Sequence, residues 1–422
     1  MTNPADTVVI VGQGYVGLPL ARAMCRAGLT VVGLDANEST VDGLNSGRSH
    51  VDDVRDDELA EMRAAGYRAT TDAAVIADAR TAVIAVPTPL GQHREPDLSA
   101  VESASRSIAE NLRPGTLVVL ESTTYPGTTE EIVKPILETS GLSLDDHFWL
   151  AFSPERIDPG NDQYGLENTP KIVGGVTPAS TDAAAAFYSR FVTSVVRTRG
   201  AREAETAKLL ENTYRHINIA LVNEMARFCA ELGIDIWDVI RAASTKPFGF
   251  EAFYPGPGVG GHCIPIDPNY LSFDVKRRLG YPFRFVELAQ EINESMPSYV
   301  VDRLQAALNE RGLALKGMRV LLLGVTYKSN ISDQRESPAR PVGEILLERG
   351  AVLSYHDPRV EHWIVADQEI ERALDLDGAI ADAGAVILLQ AHDEYEVDDL
   401  AARSRLFFDT RGRTTGDTAI RL

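Results

Sequence analysis

The sequence predicts an α/β protein with two doubly wound domains joined by a long central helix. Three observations carry this. Short β-branched runs alternate with helical patterns in the first part of the chain, a long run without internal Gly or Pro follows, and the alternation restarts near the C-terminal end. Strands that are apolar on both faces and alternate with helices form parallel sheets, because the crossover helices cover both faces.

In order, the first strands fall at Val8–Val11, Val31–Leu34, Ala82–Val86 and Leu117–Leu120, with helical patterns such as Pro19–Ala27 and Ser99–Asn111 between them. Thr128-Thr129-Glu130-Glu131 has the spacing of a capping box and predicts a helix carrying Ile132, Val133, Ile136 and Leu137. From about Arg202 to Leu232 a single long helix is expected, roughly 45 Å at about 1.5 Å per residue. On it Leu210, Tyr214, Ile217, Leu221, Phe228 and Leu232 share one stripe, while Lys208, Asn212, Ile219 and Asn223 project from nearly the opposite side. A Gly/Pro-rich segment, Tyr254 to Pro268, is followed by a second helical stretch that is expected to be interrupted at Pro297. Strands at Val320–Leu323, Val352–His356, Ala385–Leu389 and Leu406–Asp409, with a helix at Pro341–Arg349, complete a second, smaller α/β domain.

Composition narrows the function. The 422 residues include 41 basic and 61 acidic side chains, a net charge of −20. A surface this acidic repels phosphate backbones, so no nucleic-acid partner is expected. No stretch approaches the roughly 20 apolar residues that span a bilayer, and Met1–Asp6 lacks a basic leader region, so a cytoplasmic protein without a membrane partner is expected. The cysteines Cys25, Cys229 and Cys263 are too scattered for a disulfide framework. There is neither Cys-x-x-Cys nor a helical His-x-x-x-His, so no metal is expected.

The clearest local signal is Gly12-Gln13-Gly14-Tyr15-Val16-Gly17, directly after the first strand and opening the first helix. Gly12 permits the tight turn, Gly14 admits a pyrophosphate to the backbone, and Gly17 permits close helix–strand packing. The helix N-terminus then offers free N–H groups and a positive dipole end to the phosphates. Asp35 closes the second strand, where a carboxylate binds both ribose hydroxyls and repels a 2′-phosphate. The pattern predicts a Rossmann-like domain with NAD as cofactor, in preference to NADP.

A second signal is Gly256-Pro257-Gly258-Val259-Gly260-Gly261-His262-Cys263-Ile264-Pro265-Ile266-Asp267-Pro268. Glycines around a cysteine let a substrate approach the thiol, and Asp267, four residues on, is placed to orient a water or accept a proton. Cys25 and Cys229 lie in helical apolar patterns and read as small core hydrophobes. Cys263 reads as a nucleophile; His262 is taken as structural.

These motifs together resemble the UDP-glucose/GDP-mannose dehydrogenase family, the NAD-dependent nucleotide-sugar 6-dehydrogenases. The resemblance runs nearly full length, through Gly12–Gly17, Val86-Pro87-Thr88-Pro89, Glu121-Ser122-Thr123, Ser153-Pro154-Glu155, Lys208–Asn212, Gly260-Gly261-His262-Cys263, Tyr327-Lys328 and Arg335-Glu336-Ser337. It implies oxidation of a sugar C6 alcohol to a carboxylate by two NAD+ in succession, through a thiohemiacetal and a thioester on a cysteine that matches Cys263. Lys208 and Asn212, one helical turn apart, match an oxyanion-stabilising or basic lysine and its assisting asparagine. Thr123 and Asp267 match residues that hold a water for proton transfer, and Glu155 matches the base proposed for thioester hydrolysis. Pro87, Thr88, Ser122, Thr123 and Arg335 join the glycine motif as cofactor contacts. Glu155, Arg156, Lys208, Asn212, Tyr254, Gly258, Gly260, Tyr327 and Lys328 are the implied substrate contacts. The resemblance also divides the chain into a cofactor domain (1–200), a central helical domain with the cysteine loop (201–310) and a nucleotide-sugar domain (311–422). It further implies a homodimer or higher homo-oligomer packed through the long helix, although the apolar stripe is equally compatible with burial inside one chain.

Three positions depart from the family's glucose enzymes: Pro159 stands where a second Glu is common, Ile266 where a Lys is common, and Thr40 where an Arg is common. This variant resembles the branch containing N-acetylhexosamine enzymes. UDP- or dTDP-glucose is nevertheless the expected substrate on family frequency, with UDP-N-acetylglucosamine or UDP-N-acetylmannosamine as the alternative. Two further readings are a two-electron alcohol dehydrogenase of the 6-phosphogluconate type, which has no use for Cys263, and a non-catalytic NAD-binding protein, which leaves Cys263 and Lys208 unexplained.

Overall fold

The computed structural model describes residues 7–91, 95–157, 163–261, 264, 266–416 and 418–422. It forms two compact units, Met1–Glu211 with Asn269–Tyr281, and Asn212–Pro268 with Pro282–Leu422.

The first unit is built on strands β1 (Thr7–Val11), β2 (Thr30–Leu34), β3 (Arg68–Thr70), β4 (Thr81–Ile84), β5 (Thr116–Leu120), β6 (Phe148–Phe152), β7 (Lys171–Gly175) and β8 (Val195–Arg197). Their order is β3-β2-β1-β4-β5-β6-β7-β8, parallel except where β7 runs antiparallel to β6. The central strands are buried along almost their whole length, which is why they read as continuous apolar runs. Helices α1 (Gly17–Arg26), α2 (Glu38–Ser46), α3 (Asp56–Ala64), α4 (Ser99–Asn111), α5 (Lys134–Glu138) and α6 (Pro178–Tyr188) complete the unit's α/β alternation. Residues of α1, α2, α3 and α6 share one core with the sheet. Local chemistry sets their ends: Asn37 caps α2, and Thr177 caps α6 ahead of Pro178.

The segment before α5 differs from the capping-box expectation. Residues Thr129–Val133 form a π-helical turn, and Thr128 makes no side-chain cap. Its hydroxyl donates to the Tyr125 carbonyl. The free N–H groups of Gly127 and Thr129 are accepted by the carboxylate of Glu205, far along the chain. A tertiary acceptor thus replaces the local one that the spacing suggested.

Helix α7 (Ala201–Glu231) starts in the first unit and continues into the second. The second unit adds α8 (Ile236–Ala243), the first residues of α9 (Asp267–Leu279) and α10 (Arg284–Glu310). Contrary to the expected interruption, α10 runs unbroken through Pro297. Proline lacks the N–H that would bond the Asn293 carbonyl, but burial of Ile292, Met296, Val300, Val301 and Leu304 on one side holds the helix together.

The second sheet contains β9 (Arg319–Leu323), β10 (Val352–His356), β13 (Glu371–Arg372), β14 (Ala385–Leu388), β15 (Phe407–Asp409) and β16 (Ile420–Arg421), in the order β13-β10-β9-β14-β15-β16 and parallel throughout. A small hairpin, β11 (Ile364–Val365) with β12 (Gln368–Glu369), lies between β10 and β13 in the chain. Helices α11 (Ala339–Glu348), α12 (Leu376–Asp382) and α13 (Val397–Arg403) complete the alternation.

The second unit repeats the first at its opening turn. Gly12 N donates to Leu34 O and Gly324 N to His356 O; both glycines have positive φ. A Cβ on either would lie 2.4 Å from Ala85 O or 2.2 Å from Gln390 O. Asp35 accepts from the amides of Gln13 and Asn37, and Asp357 accepts from those of Val325 and Arg359. The copies differ in what faces the acid. Asp357 is paired with His392 at 3.0 Å, both side chains fully buried, whereas Asp35 remains half-buried. Only the first copy keeps its carboxylate partly exposed.

Candidate active site

The nucleotide cradle lies at the carboxyl ends of β1, β2 and β4, where ligands bind in open α/β sheets. The three glycines of its loop have different environments. A Cβ on Gly12 would strike the Ala85 carbonyl, and one on Gly17 would lie 1.9 Å from Gly12 O, so both are required by backbone packing. A Cβ on Gly14 would meet nothing within 4 Å, so the main chain is open to approach at this position. The first turn of α1 carries no acidic residue, so its positive end is uncompensated. Gln13 is wholly buried. Its amide N donates to Asp35, its Nε2 donates to Ile10 O and Gly12 O, and its Oε1 accepts from Tyr67. Its side chain therefore supports the loop from beneath, while Tyr15 and Val16 pack half-buried against the core.

Of the other cofactor-motif residues, those of the first unit lie on the turns after β4 and β5. Pro87 is exposed after β4, and the carbonyls of buried Thr88 and exposed Pro89 accept from Tyr270 of α9. Ser122 is buried and donates to Val86 O, tying the turn after β5 to the one after β4; Thr123 beside it is half-buried.

The turn after β6 carries Glu155 and Arg156. Glu155 Oε1 accepts from the amides of Arg156 and Ile157 at 2.7 Å each. Its Oε2 is buried with no hydrogen-bond partner among the described residues. Lys171 lies 3.6 Å from that oxygen and 3.0 Å from Glu121. The antiparallel register explains the approach: Phe152 opposes Gly174, so continuing the two chains brings Glu155 opposite Lys171. Tyr188 of α6 donates to Glu121, whose carboxyl is pushed up by burial. Arg156 pairs with Glu211 at 2.7 Å and donates to Pro170 O. Lys208 is buried on α7, on the face opposite the apolar stripe.

In the second unit Asn212, one turn beyond Lys208, donates from Nδ2 to Asp267, which is only 1 % exposed. The glycine loop is threaded past Tyr327: a Cβ on Gly260 or Gly261 would come within 2.8 Å of that side chain. Gly261 N donates to Arg335 O, and the Arg335 guanidinium is paired with Asp333 at 2.6 Å. Gly258 has φ +142° and backs onto Pro338. A relay fixes the start of the loop, Gly256 N to Asn223, Asn223 to Asn293, and Asn293 to His216 O. Tyr254 instead stacks on Trp237 of α8 and is more than half exposed. Lys328 follows Tyr327, half-buried, on the turn after β9. Cys263 and its neighbour His262 lie outside the described residues, as do positions 158–162 that hold Pro159.

Glu121, Lys171, Tyr188 and Glu205 escaped the residue-by-residue reading. The available signal was a lone lysine heading an otherwise apolar strand, and a glutamate inside the Glu-Ser-Thr motif. Cys25, read as a core residue, is buried, and burial pushes its thiol up to about 12. Burial likewise pushes His216 down to about 4, a neutral imidazole. Among the described residues no cluster of His, Cys, Asp and Glu is arranged to hold a metal, and no helix is long and apolar enough to cross a membrane.

A Gly-rich turn on a helix N-terminus, with a half-buried carboxylate closing the second strand, marks the first unit as a dinucleotide-binding α/β domain. Models of the UDP-glucose/GDP-mannose dehydrogenase family match its NAD-binding domain at residues 6–192, its central domain at 202–295 and its UDP-binding domain at 321–415. The chain belongs to the UDP-glucose/GDP-mannose dehydrogenase family, and as such is an NAD-dependent nucleotide-sugar 6-dehydrogenase. It is 36% identical over 419 residues to an NDP-N-acetyl-D-galactosaminuronic acid dehydrogenase of Ralstonia nicotianae, covering 96% of each chain. It is 35% identical to a UDP-N-acetyl-D-glucosamine 6-dehydrogenase of Pseudomonas aeruginosa, covering 92% of this chain and 91% of that one. A solved UDP-D-ManNAc dehydrogenase from Pyrococcus horikoshii superposes with a TM-score of 0.88 at 31% identity, covering 98% of both.

Proposed function

We propose that the chain oxidises C6 of a nucleoside-diphosphate N-acetylhexosamine to the uronic acid, in place of the UDP- or dTDP-glucose expected from family frequency. The relatives just described are named for N-acetylated sugars, and Pro159 and Ile266 stand where the glucose enzymes commonly carry Glu and Lys. The observation that carries the chemistry is the pairing of Asn212 with buried Asp267, which joins the helix motif to the residue four positions after Cys263.

NAD+ supplies the hydride acceptor at each oxidation. The Cys263 thiolate adds to the C6 aldehyde, forming a C–S bond and a thiohemiacetal; loss of a second hydride leaves a thioester. Water then adds to the thioester carbonyl while Glu155 takes its proton, the C–S bond breaks, and its electron pair returns to the Cys263 sulfur. In total the alcohol and one water give a carboxylate, two hydrides and three protons. Lys208 and Asn212 stabilise the successive oxyanions, and Thr123 and Asp267 hold the water that relays protons. Segment 311–422, with Tyr327 and Lys328, holds the nucleotide; segment 1–200 holds NAD; segment 201–310 carries the cysteine loop. The apolar stripe of α7, exposed in the single chain, supports a homodimer formed through that helix.

The test is NADH formed per sugar consumed with UDP-N-acetylmannosamine, UDP-N-acetylglucosamine, UDP-N-acetylgalactosamine, UDP-glucose and dTDP-glucose, run beside Cys263→Ser. The expected result is two NADH per N-acetylhexosamine, with turnover lost in the variant. A preference for a glucose nucleotide overturns the sugar assignment. One NADH per sugar with an unimpaired variant overturns the thioester route.

A further inference from the structure

We infer that Lys171 is a positioning residue for the hydrolytic step: it sets a positive charge beside one oxygen of Glu155 and leaves that oxygen free to take a proton, and Glu121 with Tyr188 holds Lys171 at that distance. The inference rests on the reading of Glu155 as the base.

A general base needs a charged oxygen with an uncommitted lone pair. A carboxylate out of water ordinarily loses one or the other, because burial neutralises it or a close donor occupies its lone pairs. Glu155 divides the two demands between its oxygens. Oε1 is committed, accepting from the amides of Arg156 and Ile157. Oε2 is buried and makes no hydrogen bond among the described residues. The Lys171 ammonium stands 3.6 Å from it, within ion-pairing reach and beyond a hydrogen bond. The cation favours the charge without occupying the lone pair.

The spacing is built into the fold. Lys171 donates to Glu121 Oε2 at 3.0 Å, and Tyr188 donates to the other oxygen of Glu121. The ammonium also lies over the Tyr188 ring, 5.3 Å from its centroid. Glu121 directly follows β5, Lys171 begins β7 and Tyr188 ends α6, so three parts of the fold fix one nitrogen. All three side chains are 5 % exposed or less. Arg156 and Glu211, beside it, pair with each other at 2.7 Å. Lys171 faces Glu155 Oε2 within ion-pairing reach. Burying a lysine and two carboxylates serves stability poorly, because desolvation offsets most of the attraction. A functional demand on the cluster accounts for it better.

The test follows thioester hydrolysis as a function of pH by rapid mixing with NAD+ and the sugar nucleotide that the panel identifies, reading the decay of protein-bound sugar by mass spectrometry. The variants are Lys171→Met, Lys171→Arg, Glu155→Gln and the charge-balanced pair Glu121→Gln/Lys171→Met, which guards against misfolding from an unpaired buried Glu121. Melting temperature and NAD affinity are read alongside. Removing a cation at this range moves the acid limb of hydrolysis up by roughly 1–3 pH units. Decay on the acid side of the original limb then slows about 10- to 1,000-fold and recovers at higher pH. Lys171→Arg keeps the wild-type limb. A merely structural lysine would lower the rate at every pH without moving the limb. An unmoved limb in both Met variants, with hydrolysis crippled in Glu155→Gln, overturns the role of Lys171 alone. Wild-type hydrolysis in Glu155→Gln overturns the reading of Glu155 and this inference with it.

Discussion

Replacing Tyr67 by phenylalanine removes one oxygen from beneath the nucleotide cradle and nothing else. Tyr67 is 4 % exposed and its hydroxyl donates to Gln13 Oε1 at 2.7 Å. Gln13 is wholly enclosed, with its Nε2 on Ile10 O and Gly12 O and its amide on Asp35. It fits only because residue 33 is glycine: a Cβ there would lie 2.5 Å from the Gln13 Cδ. Water has no room to replace the lost hydroxyl, so Gln13 Oε1 is left buried without a donor, a cost of about 1–3 kcal/mol. For a unit of roughly 200 residues this lowers Tm by about 2–12 °C. NAD affinity falls too, by up to about tenfold per 1.4 kcal/mol that the loop no longer contributes in its binding form. Calorimetry and fluorescence titration with NAD+ measure both. Gln13→Leu/Tyr67→Phe, in which both polar partners are gone, is expected to be milder than the two single changes summed. A Tyr67→Phe protein with unchanged Tm and unchanged NAD affinity would refute the account of Gln13 as the loop's buried support.

Other outcomes follow from the same geometry. Burial pushes Glu205 up to about 7, against an ordinary 4.5, despite its bonds to Thr129 and Gly127. Its stabilising contribution is therefore complete below about pH 4.5 and is lost as pH rises through 7, to the extent of about 3 kcal/mol; denaturant unfolding should show that slope, and Glu205→Gln should flatten it. Asp35→Ser removes the charged acceptor for the ribose hydroxyls, so kcat/KM for NAD+ falls on the order of 100-fold while that for NADP+ is spared; an unchanged ratio of the two would contradict the assignment of Asp35. Leu210→Glu with Leu221→Glu places charge on the exposed stripe of α7, and sedimentation should then find a 45.9 kDa monomer, against the dimer expected of the native protein. A native monomer would dispose of the helix interface.

Much was legible locally. Burial on both faces makes the central strands continuous apolar runs, so β1, β2, β5, β9 and β10 read within a residue or so of their bounds. The glycine motif and Asp35 were equally readable, because a turn that forbids a Cβ admits only glycine and so marks itself in the sequence. Helix termini were less so: Thr128 has the spacing of a cap, yet Glu205 performs the task.

The long helix separates the two kinds of information. Periodicity identified its two faces but not which one the chain buries. In the folded chain the polar-looking side is inside, with Glu205, Lys208, Thr213, His216 and Asn223 buried, while Leu210, Leu221 and Leu232 are 65, 54 and 68 % exposed. Burial of those polar groups is affordable only where distant partners meet them, as Asn293 meets Asn223 and Thr129 meets Glu205. The same holds for Glu155, whose motif is local but whose cation arrives from the start of an antiparallel strand. The sequence by itself determined the α/β class, the NAD-binding domain and the family, since each rests on motifs of neighbouring residues or on steric exclusion at single positions. Which charges are buried together, and which apolar face is left outside, was decided by the tertiary structure, because electrostatic pairing and desolvation depend on distances that chain separation does not encode.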